Sequence, residues 1–185
     1  MISDNEIKSK LFRFLAFEVL LKNKYIYEKS KFINEFLKIS NFESINDEVD
    51  ELYKNQKRLK PGNIFPQVYF ANQNGSILEI TTDNKTKKVL FFWSYDQNSH
   101  LNAIHQKIFK LKPTFFNHKF YSININKSQS KWLDNIISKD FINIRSINFE
   151  EMSKKLIIDN LNKIFFLNEK NEIQKIDLID NLILN

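Results

Sequence analysis

One short stretch of the chain is apolar almost without interruption: the segment Lys88–Trp93 reads Lys-Val-Leu-Phe-Phe-Trp. A continuous apolar run of this length is typical of a strand that is buried on both faces of a sheet. The next segment, Asn98–Leu111, has apolar residues at helical spacing, and Pro113 ends it. The sequence therefore predicts a central strand followed by its crossover helix.

The rest of the C-terminal two thirds continues this alternation of strands and helices. A turn-rich stretch, Asn72–Gly75, separates two short β-like runs and predicts a hairpin before the central strand. A second strand–helix unit and a C-terminal hairpin follow it. We expect an α/β domain whose sheet has four to five strands flanked by helices. The predicted strand segments are 67–70, 76–80, 88–93, 120–125, 164–167 and 173–176, and the predicted helices are 98–111, 130–138 and 150–160.

The first third of the chain has a different pattern. Apolar residues recur at three- and four-residue spacing up to about residue 60, which predicts about three short helices with breaks near 22–24 and 40–41. We expect Asn46 to cap the last of them. Pro61-Gly62 ends the helical pattern. The predicted organisation is a helical N-terminal segment over 1–59 and an α/β domain over 60–185.

Four stretches in this order resemble the thioredoxin fold, and within it the TlpA-like and AhpC/TSA-like bacterial thiol-disulfide reductases. Lys60–Pro66 is similar to the "KPGxxxP" segment of that family, and Asn74-Gly75 lies where the family has its first hairpin turn. Lys87–Ser94 resembles "GKxVLxxFWA", and Phe165–Ile173 resembles "FLIDKDGKI". The resemblance covers about residues 60 to 177 and implies a thioredoxin-like sheet.

The family's redox motif is missing. In the family, W-C-x-x-C follows the "FW" strand, and the helix N-terminus stabilises a reactive thiolate. This chain contains no cysteine. The resemblance places Gln97 at the nucleophile and His100 at its resolving partner, and it places Lys163 at the family's cis-proline, where we expect a trans peptide bond. The degenerate redox-motif positions are Asp96, Gln97, Asn98, Ser99, His100 and Lys163.

Other chemistry at these positions has weak support. Asp96 and His100 are four residues apart at a helix start, which is compatible with an acid–base or metal site or with an ordinary cap or surface contact. Two ligands are too few for a metal, so we favour the cap or contact. Ser99 has no recognisable base or oxyanion site. Trp93 and Trp132 are expected in the core. We assign no catalytic, cofactor-binding or metal-ligating residue.

The positive charge of the chain does not predict a nucleic-acid partner. The net charge is +6 and the sequence pI is about 9.3. Of 28 basic residues only three are arginine, and the lysines are scattered among acids. Clustered cations on one face are the usual mark of phosphate binding. Abundant Lys, Asn, Ile and Phe with scarce Gly and Pro suggest AT-rich coding as the source of the charge.

The N-terminus does not predict a signal peptide. Its apolar run, Leu11–Leu21, is interrupted by Arg13 and Glu18, acidic residues precede it, and no small-residue cleavage site follows. We expect no transmembrane segment. The family resemblance implies a cell-envelope or periplasmic setting, so the sequence leaves the localisation open. It also leaves the oligomeric state open.

Three functional hypotheses follow. The first is a redox-inactive thioredoxin-like domain that acts as a binding or structural module, with a protein or peptide partner. The second, implied by the resemblance, is a TlpA-like thiol-disulfide oxidoreductase in cell redox homeostasis. The third is a degenerate remnant of one. An open apolar groove between Asp96–His100 and Lys163 would favour peptide binding, and a filled groove a structural role. We expect the N-terminal helices to pack within the chain rather than against a partner.

Overall fold

The computed structural model describes residues 4–22 and 26–183. The chain divides into two compact units, Met1–Lys57 and Arg58–Asn185. We refer to them as the helical unit and the sheet unit.

The helical unit contains three helices: α1 (Asp4–Lys22), α2 (Ile26–Ile39) and α3 (Glu43–Arg58). The expectation for Asn46 is wrong. The helix starts at Glu43, before Asn46, because Phe42 O accepts hydrogen bonds from the backbone N–H groups of Ile45 and Asn46. The Asn46 side chain instead donates to Ser40 O at 3.1 Å. One apolar cluster joins the three helices, and its buried members are Ala16, Leu20, Ile33, Phe36, Ile45, Val49 and Tyr53.

The sheet unit has seven strands in one sheet, more than the four to five expected. The order is β2-β1-β5-β4-β3-β6-β7, in which β3, β4 and β5 are parallel and the outer pairs are antiparallel. The strands are β1 (Tyr69–Ala71), β2 (Ile77–Glu79), β3 (Lys87–Trp93), β4 (His118–Asn124), β5 (Ile142–Ser146), β6 (Lys163–Leu167) and β7 (Ile173–Leu178). The helices are α4 (Asn98–Leu111), α5 (Gln129–Asp134), α6 (Phe149–Leu156) and α7 (Ile179–Ile183).

The central strand β3 is buried on both faces, as its composition predicts. Leu90 and Phe92 belong to the apolar cluster on one face, and Val89, Phe91 and Trp93 belong to the cluster on the other. This division follows the two-residue alternation of side chains along a strand. The strand pairs in parallel with β4 and antiparallel with β6, so both of its edges are hydrogen-bonded. The loop that leads into α4 therefore follows a strand that is hydrogen-bonded along both edges.

A buried lysine ties β3 to the β6–β7 turn. Lys88 is fully buried, and its Nζ donates to Asn171 Oδ1 at 2.6 Å, to Thr86 O at 3.0 Å and to Asp83 O. Asn171 adopts a left-handed conformation with φ of 63°, and its Nδ2 donates to Thr81 O at 2.9 Å. All three protons of the ammonium group thus have acceptors, which a buried cation requires.

Candidate functional site at the start of α4

The positions that the resemblance assigns to a degenerate redox motif lie where β3 ends and α4 begins. Gln97 is the N-cap residue of α4, and its side chain does not cap the helix. The positions from Asp96 to Ser99 are exposed, whereas His100 is half-buried. The structure thus places positions 96–100 in the loop before α4 and in its first turn.

Asp96 and His100 have separate partners. The Asp96 carboxylate accepts a hydrogen bond from Asn126 Nδ2 at 2.7 Å, and the Asp96 backbone N–H donates to Ser94 Oγ at 3.2 Å. Asn126 follows β4 and also accepts from the backbone N–H of Tyr95 at 3.0 Å. Asp96 is therefore part of a polar contact between the loops after β3 and β4, which agrees with a surface contact.

His100 is the start of a polar chain that crosses to the C-terminal helix. His100 Nε2 lies 3.0 Å from Asn162 Oδ1, and Asn162 Nδ2 donates to Asp180 Oδ2 at 3.2 Å. Asp180 also pairs with Lys107 of α4. The backbone adds a further link, because the N–H of Ile179 donates to Asn162 O at 2.9 Å. We call His100, Lys107, Asn162 and Asp180 the clamp. It joins α4, the residue before β6, and α7.

Burial and the clamp residues act together on the pKa of His100. Burial lowers the pKa of His100, and the nearby Lys107 lowers it too, while the hydrogen bond with Asn162 and the charge of Asp180 act in the opposite direction. A neutral imidazole that donates from Nε2 to Asn162 Oδ1 leaves Nδ1 as a bare acceptor. That Nδ1 is buried and has no hydrogen-bond partner. The lowered pKa favours this neutral form, and the side chain is engaged within the chain through Nε2.

Lys163 does not take part in the clamp. Its Nζ reaches Ile157 O at the end of α6 and pairs with Asp159 at 2.8 Å, and only 15% of the side chain is exposed. The peptide bond before Lys163 is trans, as expected. The side chain that contacts His100 belongs to Asn162, one position earlier. Sequence reasoning missed Asn162 because no local pattern links it to a residue 62 positions away.

A second polar chain lies under α4 and is completely buried. Trp93 Nε1 donates to Ser122 Oγ at 2.8 Å, and Ser122 Oγ lies 3.4 Å from His105 Nε2. His105 Nδ1 is 2.8 Å from Leu101 O, which can only accept, so Nδ1 carries the proton and the Ser122 hydroxyl donates to Nε2. Burial lowers the pKa of His105.

This serine–histidine pair is a structural element. Ser122 is 0% and His105 1% exposed, so no substrate reaches them. The rings of Phe91, Trp93 and Phe141 pack around the imidazole with centroids 5.3 to 5.8 Å away. Sequence reasoning missed the pair. The only available signal was a histidine placed between Leu101 and Ile108 on the apolar side of the predicted helix.

Comparisons with known proteins show the fold. No protein-family model matches the chain, and no curated protein matches it. The thioredoxin domain of a thiol-disulfide oxidoreductase from Bacteroides vulgatus is similar in structure, with a TM-score of 0.53, 13% identity, and coverage of 68% of this chain and 96% of that domain. A domain from Cytophaga hutchinsonii, described as a possible thiol-disulfide isomerase, has a TM-score of 0.52 and 21% identity, with coverage of 67% of this chain and 88% of that domain. A thiol:disulfide interchange protein from a Bacteroides species has a TM-score of 0.51 and 11% identity, with coverage of 68% of this chain and 89% of that chain.

The chain therefore has a thioredoxin-like fold without the CxxC motif that thiol-disulfide exchange requires. Within residues 4–22 and 26–183, no helix combines the length and the apolar composition needed to cross a membrane.

Proposed function

We propose that this chain is a redox-inactive thioredoxin-like module with a structural or binding role, and that the clamp closes the face at the start of α4 at His100. One observation carries the proposal. His100, at the position of the resolving thiol, is hydrogen-bonded to Asn162 and through it to Asp180. A contact within the chain between the start of α4 and the residue before β6 favours a structural use of this face over peptide binding.

The second candidate is a thiol-disulfide oxidoreductase, the activity named for the similar structures. Its support is the likeness of the fold alone, because the sequence identity to those structures is low and a shared fold does not imply a shared function. The chemistry opposes it. Disulfide exchange proceeds by attack of a thiolate on a disulfide sulfur, and the chain has no cysteine to supply one.

An insulin-disulfide reduction assay separates these two candidates. With dithiothreitol as the electron donor, we expect the purified chain to give the same rate as buffer, while an active thioredoxin in a parallel reaction gives rapid precipitation of the insulin B chain. Turnover that scales with the concentration of the cysteine-free chain would overturn the proposal.

The stability of the clamp is a test of its structural role. Asn162→Ala removes the acceptor of His100 and a donor to Asp180, so we expect the free energy of unfolding to fall by about 1 to 3 kcal/mol. Ser99→Ala is the matched control, because Ser99 is exposed on the same turn as His100. That change should stay within about 0.5 kcal/mol. Urea titrations monitored by tryptophan fluorescence measure both, and equal effects would contradict the structural role.

A binding role is tested by affinity capture with a surface variant. Gln97→Arg with Asn98→Arg changes two exposed residues beside the clamp. If the face is closed, any partner that the wild-type chain captures should be captured equally by this variant. Selective loss of the partner would instead make the start of α4 a binding face.

The proposal extends to the TlpA-like branch and to a cell-envelope setting. Both extensions rest on the four sequence stretches and on the usual location of that family. Fractionation of the source cells, with immunodetection of the chain, tests the location. Recovery only in the cytoplasmic fraction would contradict it.

A further inference from the structure

Helix α1 carries large apolar residues on two sides. One side contributes Ala16 and Leu20, both 0% exposed, to the core of the helical unit. The other side is exposed. Its large apolar residues, with their exposed fractions, are Ile7 (55%), Leu11 (52%), Phe14 (59%), Leu15 (50%) and Leu21 (38%). Burial of such residues is the main driving force for helix association in water, so this second side is a candidate interaction surface.

The spacing of the exposed side is that of a coiled-coil seam. Ile7, Leu11, Phe14, Glu18 and Leu21 are separated by four, three, four and three residues. This alternation places all five at the a and d positions of a heptad repeat, which face a partner helix. Leu15 flanks the seam and widens it. We call these five positions the α1 seam.

The one charged residue of the seam decides which arrangement fits. In a parallel pair of α1 helices, equivalent positions face one another, so two Glu18 carboxylates would meet at the interface. In an antiparallel pair, Glu18 of one copy lies beside the Ile7–Leu11 turn of the other. Lys8 and Lys10 flank that turn. Charge complementarity therefore favours an antiparallel pair of identical helices.

The charges already present on α1 are compatible with this pairing. Lys10 pairs with Glu6 at 3.0 Å, and Lys22 pairs with Glu18 at 2.6 Å, on the same helix. Each end of α1 thus has charges of both signs beside the seam. In an antiparallel pair, the Glu18–Lys22 pair of one copy would lie near the Lys10–Glu6 pair of the other, so charges of both signs would meet at each end of the seam.

We infer that α1 is a homodimerisation helix and that a second copy of this chain covers the α1 seam in antiparallel orientation. This inference is independent of the proposed function. The interface is small, because 19-residue helices that meet along one seam bury less than a standard protein–protein interface. We therefore expect a dimer that dissociates in the micromolar range.

Sedimentation velocity of the full chain at concentrations from about 1 to about 200 micromolar tests the inference, since this range spans a weak interface. We expect the wild-type chain to shift from monomer to dimer. Leu11→Glu places a charge in the seam and should remove the dimer. Ile39→Glu is the matched control, because Ile39 is 67% exposed and lies on α2, outside the seam. It should dimerise like the wild type. Circular dichroism confirms that both variants keep their helices.

Three results would overturn the inference. A wild-type chain that stays monomeric over the whole range would show that another surface or nothing covers the seam. A Leu11→Glu variant that still dimerises would move the interface elsewhere, and so would an Ile39→Glu variant that is monomeric.

The orientation is tested by cross-linking, which the absence of native cysteines makes specific. Ile7→Cys and Leu21→Cys chains are each treated with a short bismaleimide, alone and mixed. In an antiparallel dimer, the mixture forms a cross-linked dimer and the separate variants do not. Cross-linking of each variant with itself and not with the other would establish a parallel pair and refute the antiparallel assignment.

Discussion

In the sheet unit, all five apolar residues of β3 from Val89 to Trp93 are buried, whereas α1 of the helical unit buries two residues and leaves five large apolar ones exposed. The difference follows from how many faces each unit covers. The sheet has apolar clusters on both faces, made by helices and loops of the same unit. The helical unit has one cluster, and that cluster uses only one side of α1.

This contrast separates two uses of apolar sequence. An apolar run in β3 specifies the fold, because each of its residues has packing partners within the unit. The same kind of residue on the exposed side of α1 adds nothing to the core and provides a surface for association. If this contrast holds, substitutions of buried residues in the sheet unit should lower the free energy of unfolding far more than substitutions on the exposed side of α1.

The largest effect is expected for Phe92→Ala. Phe92 is 0% exposed near the C-terminal end of β3 and packs edge to face with Phe165, with ring centroids 6.0 Å apart. Truncation leaves a cavity in a close-packed core and should lower the free energy of unfolding by about 3 to 5 kcal/mol. Urea unfolding at a concentration where the chain is monomeric measures it.

The matched control is Phe14→Ala, the same chemical change on a ring that is 59% exposed. In the monomer it should change stability by less than about 0.5 kcal/mol. A loss that approaches that of Phe92→Ala would mean that α1 is packed against this chain in solution, and the contrast between the two units would fail.

A smaller loss is expected for Lys88→Met. Methionine fills a similar volume, but it cannot donate a hydrogen bond, so the buried Asn171 Oδ1 and the carbonyl oxygens of the half-buried Thr86 and Asp83 lose their donor. We expect a loss of about 2 to 3 kcal/mol in the free energy of unfolding. Lys87→Met is the control. Lys87 is on the same strand, is 37% exposed, and makes only a 3.7 Å ion pair with Glu169. Its replacement should cost less than about 1 kcal/mol, and a similar loss for both variants would contradict this account.

The sequence predicts those parts of the fold that depend on local periodicity. Strand β3 and helix α4 are correctly predicted, because the pattern of apolar residues within each segment is enough to indicate which side chains are buried. Strand β5 was missed because Asn143 and Ser146 are polar and yet 6% and 2% exposed, so its hydrophobic alternation is broken. Tertiary context buries these side chains, and no local rule predicts that.

The candidate site shows the same limit. The location of positions 96–100 near the start of α4 could be predicted, because they directly follow the well-marked strand β3. The contact between His100 and Asn162 joins residues far apart in the chain, and the sequence pointed instead to Lys163, whose side chain is engaged with Asp159. Asn162 and Lys163 are adjacent, and successive side chains of an extended segment point to opposite sides, so the two side chains have different partners.

The smallest effect expected for a single residue is that of each histidine on the pH dependence of stability, which should be confined to the sheet unit because all three histidines lie there. Burial lowers the pKa values of His100, His105 and His118 below the usual value near 6.5. The unfolded chain therefore binds protons first as the pH falls, and the free energy of unfolding should decrease below about pH 6.5 and be stable above it. Each histidine contributes at most about 1.4 kcal/mol per pH unit.

His105 is the sharpest position at which to test this dependence. Its ring faces Leu101 O, Ser122 and the rings of Phe91, Trp93 and Phe141. Burial is the largest cause of its lowered pKa; the hydrogen bond with Leu101 O acts in the opposite direction, and protonation of the nearby His100 would lower the pKa of His105 further. In His105→Gln, stability at pH 7 falls, but the loss of stability between pH 6.5 and 5 should be smaller than in the wild type. Hydrogen exchange over the same pH range should show that opening of α4 and β3 becomes easier while the relative stability of α1 to α3 is unchanged. An equal change in both units, or an unaltered pH slope in His105→Gln, would mean that the buried imidazoles are not the cause.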